Sequence, residues 1–120
     1  VLVVDDEEHI RDILRESLEA AGYPADTAGD GQEALRKLAR GRYRLMLLDI
    51  RMPSRSGLSL LSAIRGKVGR MPVIVLTGMA APEEVAEALA LGAARCVRKP
   101  FQIESLLTLV AQVLAEAEAP

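Results

Sequence analysis

The chain opens VLVVDDEEHIRD (residues 1–12). Four apolar residues, three of them β-branched, run straight into four acids, Asp5, Asp6, Glu7 and Glu8. The apolar run is too short for a helix and too uniform for a strand with one wet face. It reads as a strand buried on both faces, the signature of a parallel sheet covered by helices. Four adjacent like charges repel one another. A solvated loop tolerates them, and a bound cation would give them a purpose.

The same alternation continues along the chain. Ile10, Ile13, Leu14 and Leu18 are spaced for one helical face, and Gly22 stops that helix. YPADTA (23–28) reads as a weaker strand, with Pro24 marking its start or a sheet edge. GDG (29–31) reads as a turn. A second helix carries Ala34, Leu35, Leu38 and Ala39 and ends at Gly41. RLMLLD (44–49) is a third strand, and RMPSRSG (51–57) is a loop punctuated by Pro53 and Gly57. Leu58, Leu61 and Ile64 mark a third helix, and MPVIVLT (71–77) a fourth strand. Pro82 suits the first turn of a fourth helix that Gly92 ends. RCVRK (95–99) is a fifth strand, and residues 102–117 form a long closing helix. The expected fold class is α/β: a doubly wound, five-stranded parallel sheet with five helices.

Bulk properties bound the function. A chain of 120 residues is one domain and can bury a core without disulfides. Its aromatics are Tyr23, Tyr43 and Phe101, so the core is aliphatic. The net charge of −2 and the absence of a basic run argue against direct nucleic-acid binding by this domain. No segment is apolar enough for a membrane span, and there is no signal peptide. The lone Cys96 fits a reducing, cytoplasmic compartment. A start on Val rather than Met and the linker-like end AEAEAP suggest a domain cut from a longer protein.

Polar residues fall at matching places. Asp5 and Asp6 follow strand one, while Asp49, Thr77 and Lys99 end strands three, four and five. In a parallel sheet these positions share one edge, where open α/β sheets bind ligands. Strands lie about 4.8 Å apart, so sequential order would put roughly 10 Å between the first acids and Asp49. The order 2-1-3-4-5 makes strands one and three neighbours and crowds three carboxylates together. Such a cluster favours protonation or a metal. An all-oxygen donor set suits Mg2+.

These segments bring a family into view. The pieces VLVVDDEEHIR (1–11), LLDIRMPSRSGL (47–58), PVIVLTG (72–78) and GAARCVRKPF (92–101) together resemble the receiver domain of two-component response regulators, over nearly the whole chain and in the right order. The resemblance implies a flavodoxin-like sheet and a phosphoaccepting switch. Asp49 would be the phosphoryl acceptor, and Asp6 a direct Mg2+ ligand with Asp5 helping through water. The backbone carbonyl of Arg51 would complete the set. Lys99 would pair with phosphoryl oxygens, Thr77 would hydrogen-bond to them, and the Lys99–Pro100 bond would be cis. A histidine kinase or a histidine phosphotransfer domain would donate the phosphoryl group. An output domain outside this chain would respond, and a homodimer formed on phosphorylation fits the scheme. The protein would catalyse only its own phosphorylation and dephosphorylation.

The chain departs from the family at Cys96, where the resemblance calls for an aromatic switch residue three positions before the lysine. Cys96 reads as core filler, with the switch running mainly through the loop after Thr77. Arg51 and Met79 would flank the approach of water and help set the phospho-aspartate lifetime. His9 reads as a solvated residue in the first turn of helix one. Gly31, Gly57 and Gly92 read as turn and cap residues. Three other functions fit the sequence less well. A haloacid-dehalogenase-type phosphatase needs Asp-x-Asp, whereas this chain has Asp49-Ile50-Arg51. A flavodoxin-like electron carrier would want a phosphate loop and aromatics. A degenerate receiver used only for docking would not keep the full set Asp5, Asp6, Asp49, Thr77 and Lys99.

Overall fold

A computed structural model describes residues 1–50, 57–65, 70–78 and 82–118. Among them, strands and helices alternate strictly: β1 (Leu2–Val4), α1 (Glu8–Ala20), β2 (Asp26–Ala28), α2 (Gly31–Arg40), β3 (Met46–Asp49), α3 (Gly57–Arg65), β4 (Val73–Thr77), α4 (Pro82–Ala90), β5 (Arg95–Arg98) and α5 (Ile103–Glu118). All strand pairs are parallel, in the order β2-β1-β3-β4-β5. The fold class read from the sequence is the one observed.

The apolar runs are explained by two cores. Leu2, Val4, Met46, Leu48, Val73 and Val75 pack with Ala34, Leu60, Leu61, Ile64 and Ala88, contributed by α2, α3 and α4. Val3, Leu45, Leu47, Ile74 and Leu76 pack on the other face with Leu14, Leu18, Leu106, Val110 and Val113, contributed by α1 and α5. Successive strand side chains point to opposite faces, so a strand with both faces covered must be apolar throughout.

Element ends differ from the sequence reading for local reasons. The sheet portion of YPADTA is only Asp26–Ala28. Gly22 turns out of α1 at φ +95°, and the Tyr23 amide donates back to the Leu18 carbonyl at 2.9 Å. The first residues of the expected strand therefore finish the helix. The GDG turn is shorter than expected because Gly31 already belongs to α2. Asp30 caps that helix, accepting from the Glu33 amide at 2.8 Å, and the Glu33 carboxylate accepts from the Gly29 amide at 2.7 Å. Residues 51–56 and Met79 lie outside the described residues. So the loop expected at 51–57, apart from Gly57, and the roles expected of Arg51 and Met79 fall there.

Candidate functional site

Parallel register assembles the site. Val4 pairs with Leu48, so Asp5 and Asp49 emerge side by side from neighbouring strands. Carboxylate oxygens of Asp5, Asp6 and Asp49 lie within 4.8 Å of one another. Asp5 is 0 % and Asp49 4 % exposed, while Asp6 faces solvent. Thr77, 2 % exposed, ends β4 beside them.

Lys99 reaches the acids from beyond β5. Its amide donates to the Thr77 carbonyl at 2.8 Å, which extends the β4–β5 ladder by one bond. Its Nζ donates to Asp5 Oδ2 at 2.7 Å and to Asp49 Oδ2 at 3.3 Å. The following Lys99–Pro100 bond is cis. Burial alone would lower the Lys99 pKa. The hydrogen bond to Asp5 and the charges of Asp5 and Asp49 outweigh burial and raise it.

Asp5 is held at every oxygen. Its Oδ1 accepts from the Glu7 amide at 3.0 Å, its Oδ2 from Lys99, and its backbone carbonyl from Arg11 Nη1 at 2.7 Å. Sequence reasoning missed Arg11. A side chain bonding a carbonyl six residues back leaves no periodic trace, and the only clue is a cation one turn into α1 beside a run of acids.

Gly57 fixes the other side. A Cβ there would lie 2.3 Å from Ile50 Cα and 2.7 Å from the Asp49 carbonyl oxygen. The Gly57 amide donates to the Ile50 carbonyl at 3.1 Å. The start of α3 thus rests directly on the backbone that carries Asp49, an approach only glycine permits.

Cys96 sits on β5, half-buried, and packs against the core shared by α2, α3 and α4; burial raises its thiol pKa. His9 is exposed in the first turn of α1. Among the described residues, no helix is long and apolar enough to cross a membrane.

A cluster made only of carboxylate oxygens fits a hard divalent cation, and Mg2+ is the common one for so few protein ligands. A doubly wound sheet with acids and a lysine at its C-terminal edge places these groups where open α/β sheets bind ligands. Comparison with known proteins narrows this. Residues 1–111 match the response regulator receiver domain family, and the chain belongs to it. It is 37% identical over 120 residues to the transcriptional regulatory protein CpxR homolog of Haemophilus influenzae, covering all of this chain and 52% of that protein. It is 38% identical over 114 residues to the response regulator MprA of Mycobacterium tuberculosis, covering 95% of this chain and 50% of that one. The chain thus spans about half the length of these relatives. The fold matches a CheY-like receiver domain protein from Methanospirillum hungatei with a TM-score of 0.95 at 32% identity, covering 98% and 94% of the two chains. It matches the chemotaxis protein CheY4 of Vibrio cholerae with a TM-score of 0.87 at 36% identity, covering 93% and 95%.

Proposed function

We propose that the protein is a phosphoaccepting switch, with Asp49 the acceptor. The observation that carries this reading is the convergence of Asp5, Asp6 and Asp49 within reach of Lys99. The donor is a phosphohistidine on a histidine kinase or phosphotransfer domain. A carboxylate oxygen of Asp49 forms a bond to phosphorus while the phosphorus–nitrogen bond breaks. The electron pair stays on the imidazole, which takes up a proton. The product is an acyl phosphate.

Each residue has a distinct part. Asp6, exposed, and Asp49 would hold Mg2+ directly, with the Arg51 carbonyl. Asp5, whose oxygens are engaged, would act through water. Bound Mg2+ supplies positive charge where two anions meet. Lys99 exchanges its bond to Asp49 for one to the incoming phosphoryl oxygens. Thr77, buried at the end of β4, donates to another of those oxygens and draws its loop inward. Phosphorylation adds about −1.5 to −2 charge and three acceptor oxygens, enough to bias a two-state loop. The changed surface around β5 and the last helices is read by an output segment beyond this chain, which in relatives named as transcriptional regulators would be a gene-regulatory part. A homodimer formed on phosphorylation and residence in the cytoplasm belong to the same reading.

Incubation with Mg2+ and acetyl phosphate tests it. Mass should rise by one phosphoryl group per chain, and Asp49→Asn should abolish the gain. No gain in the unaltered protein would leave a docking module that needs no phosphorylation. Many turnovers per chain would indicate a phosphatase.

A further inference from the structure

The edge of the sheet opposite the acids has the opposite charge. Five of the nine residues in RKLARGRYR (36–44) are cationic. They run from the last turns of α2 into the entry to β3. Arg70, just before β4, joins them: Arg42, Arg44 and Arg70 line one open cleft of about 530 Å3, with Tyr43 and the last turn of α5. Lys37 is committed to Asp26 and Glu33, and Arg44 to Glu118. Arg36, Arg40, Arg42 and Arg70 are exposed. None of these four makes a hydrogen bond or ion pair among the described residues. Arg36 and Arg40 stand one turn apart on α2.

Among the described residues most other arginines are occupied, Arg98 at the end of β5 being exposed without an ion pair. Arg15 faces Asp12, Arg95 faces Glu116, and Arg11 and Arg65 donate to backbone carbonyls. With 17 acids in the chain, a net charge of −2 conceals a local excess of guanidinium groups without acid partners. Guanidinium forks match phosphate oxygens. We propose that Arg36, Arg40, Arg42 and Arg70 form a surface that contacts the phosphate backbone of double-stranded DNA without reading its sequence. It revises the expectation, drawn from net charge, that this domain leaves nucleic acid alone. Its purpose rests on the proposed switch, because the last turn of α5 lines the same cleft.

The test is fluorescence anisotropy with a labelled short duplex of arbitrary sequence, with labelled polyglutamate as a second probe. The duplex should bind at low salt. With about four phosphates neutralised, its affinity should fall on the order of a hundredfold between about 50 and about 200 mM salt. The double variant Arg42→Gln/Arg70→Gln should bind at least about tenfold more weakly and lose about half the salt slope. Uptake of phosphoryl from acetyl phosphate should be unchanged in it, which reports folding and separates this proposal from the switch itself. Arg36→Gln/Arg40→Gln, on an exposed helix face, provides a second variant should the first fold poorly. Absent duplex binding at low salt, or binding equal in wild type and variants, overturns the proposal. Tighter binding of polyglutamate than of duplex also overturns it, assigning the ridge to an acidic protein.

Discussion

Lys99 Nζ lies 2.7 Å from Asp5 Oδ2, although the two residues are 94 positions apart in the chain. One ammonium, itself largely buried, bridges two buried carboxylates, the second being Asp49 at 3.3 Å. The lysine offsets part of the charge of these acids.

Lys99→Ala should therefore destabilise the metal-free protein by about 3 kcal/mol, because it strands buried charges. Saturating Mg2+ should recover more stability in the variant than in the parent, since the ion replaces the missing cation. Urea denaturation with and without Mg2+ measures both. Equal magnesium effects in the two proteins would refute this account.

Gly57→Ala places a methyl group 2.3 Å from Ile50 Cα, against backbone that cannot step aside. A loss of about 3 kcal/mol is expected, the upper part of the overpacking range. Thermal unfolding checks it; a variant as stable as the parent would show that α3 does not rest on the Asp49 segment.

Arg11→Ala removes the donor to the Asp5 carbonyl. Stability should fall by about 1–2 kcal/mol, as for a charged donor lost from a buried acceptor. The Glu7 amide, bonded to Asp5 Oδ1, should then exchange its hydrogen faster. Unaltered exchange at that amide would mean Arg11 does not hold the acidic loop.

Tyr43 is pushed up to about 12 by burial, its hydrogen bond to Asp26 and the Asp26 charge. A tyrosine that holds its proton more tightly when folded stabilises the protein below the unfolded pKa near 10, and that contribution is lost as pH rises through about 12. Stability should decline between those values, and Tyr43→Phe should flatten the decline. Asp26 behaves oppositely. Burial opposes its ionisation, but bonds from Lys37, Tyr43 and the Thr27 amide prevail and lower its pKa. Its contribution is present above the usual carboxylate range and lost as acid titrates it. Denaturation midpoints across pH settle both directions.

Cys96→Ser should leave phosphoryl uptake from acetyl phosphate intact, because the thiol packs against core rather than facing the acids. Mass spectrometry reads the outcome, and a large loss of uptake would end the filler reading.

The strands buried on both faces were the most legible elements, since β1, β3 and β4 each write an uninterrupted apolar run. The edge strand β2 was less so. Its Tyr23 closes α1 instead of joining the ladder, and no hydrophobic pattern distinguishes those uses. At the site, Asp5, Asp6, Asp49, Thr77 and Lys99 stood out because strand ends in a parallel sheet must converge. Arg11 and the arginine ridge did not. One acts through a carbonyl, which any residue carries. The other depends on which cations find acids in three dimensions, and net charge averages that away.

The acids come from the first and third strands, but their balancing ammonium follows the fifth. A growing chain on the ribosome holds an unneutralised anionic knot until its last strand has docked. A product truncated before residue 99 would leave Asp5 and Asp49 without the ammonium that bridges them.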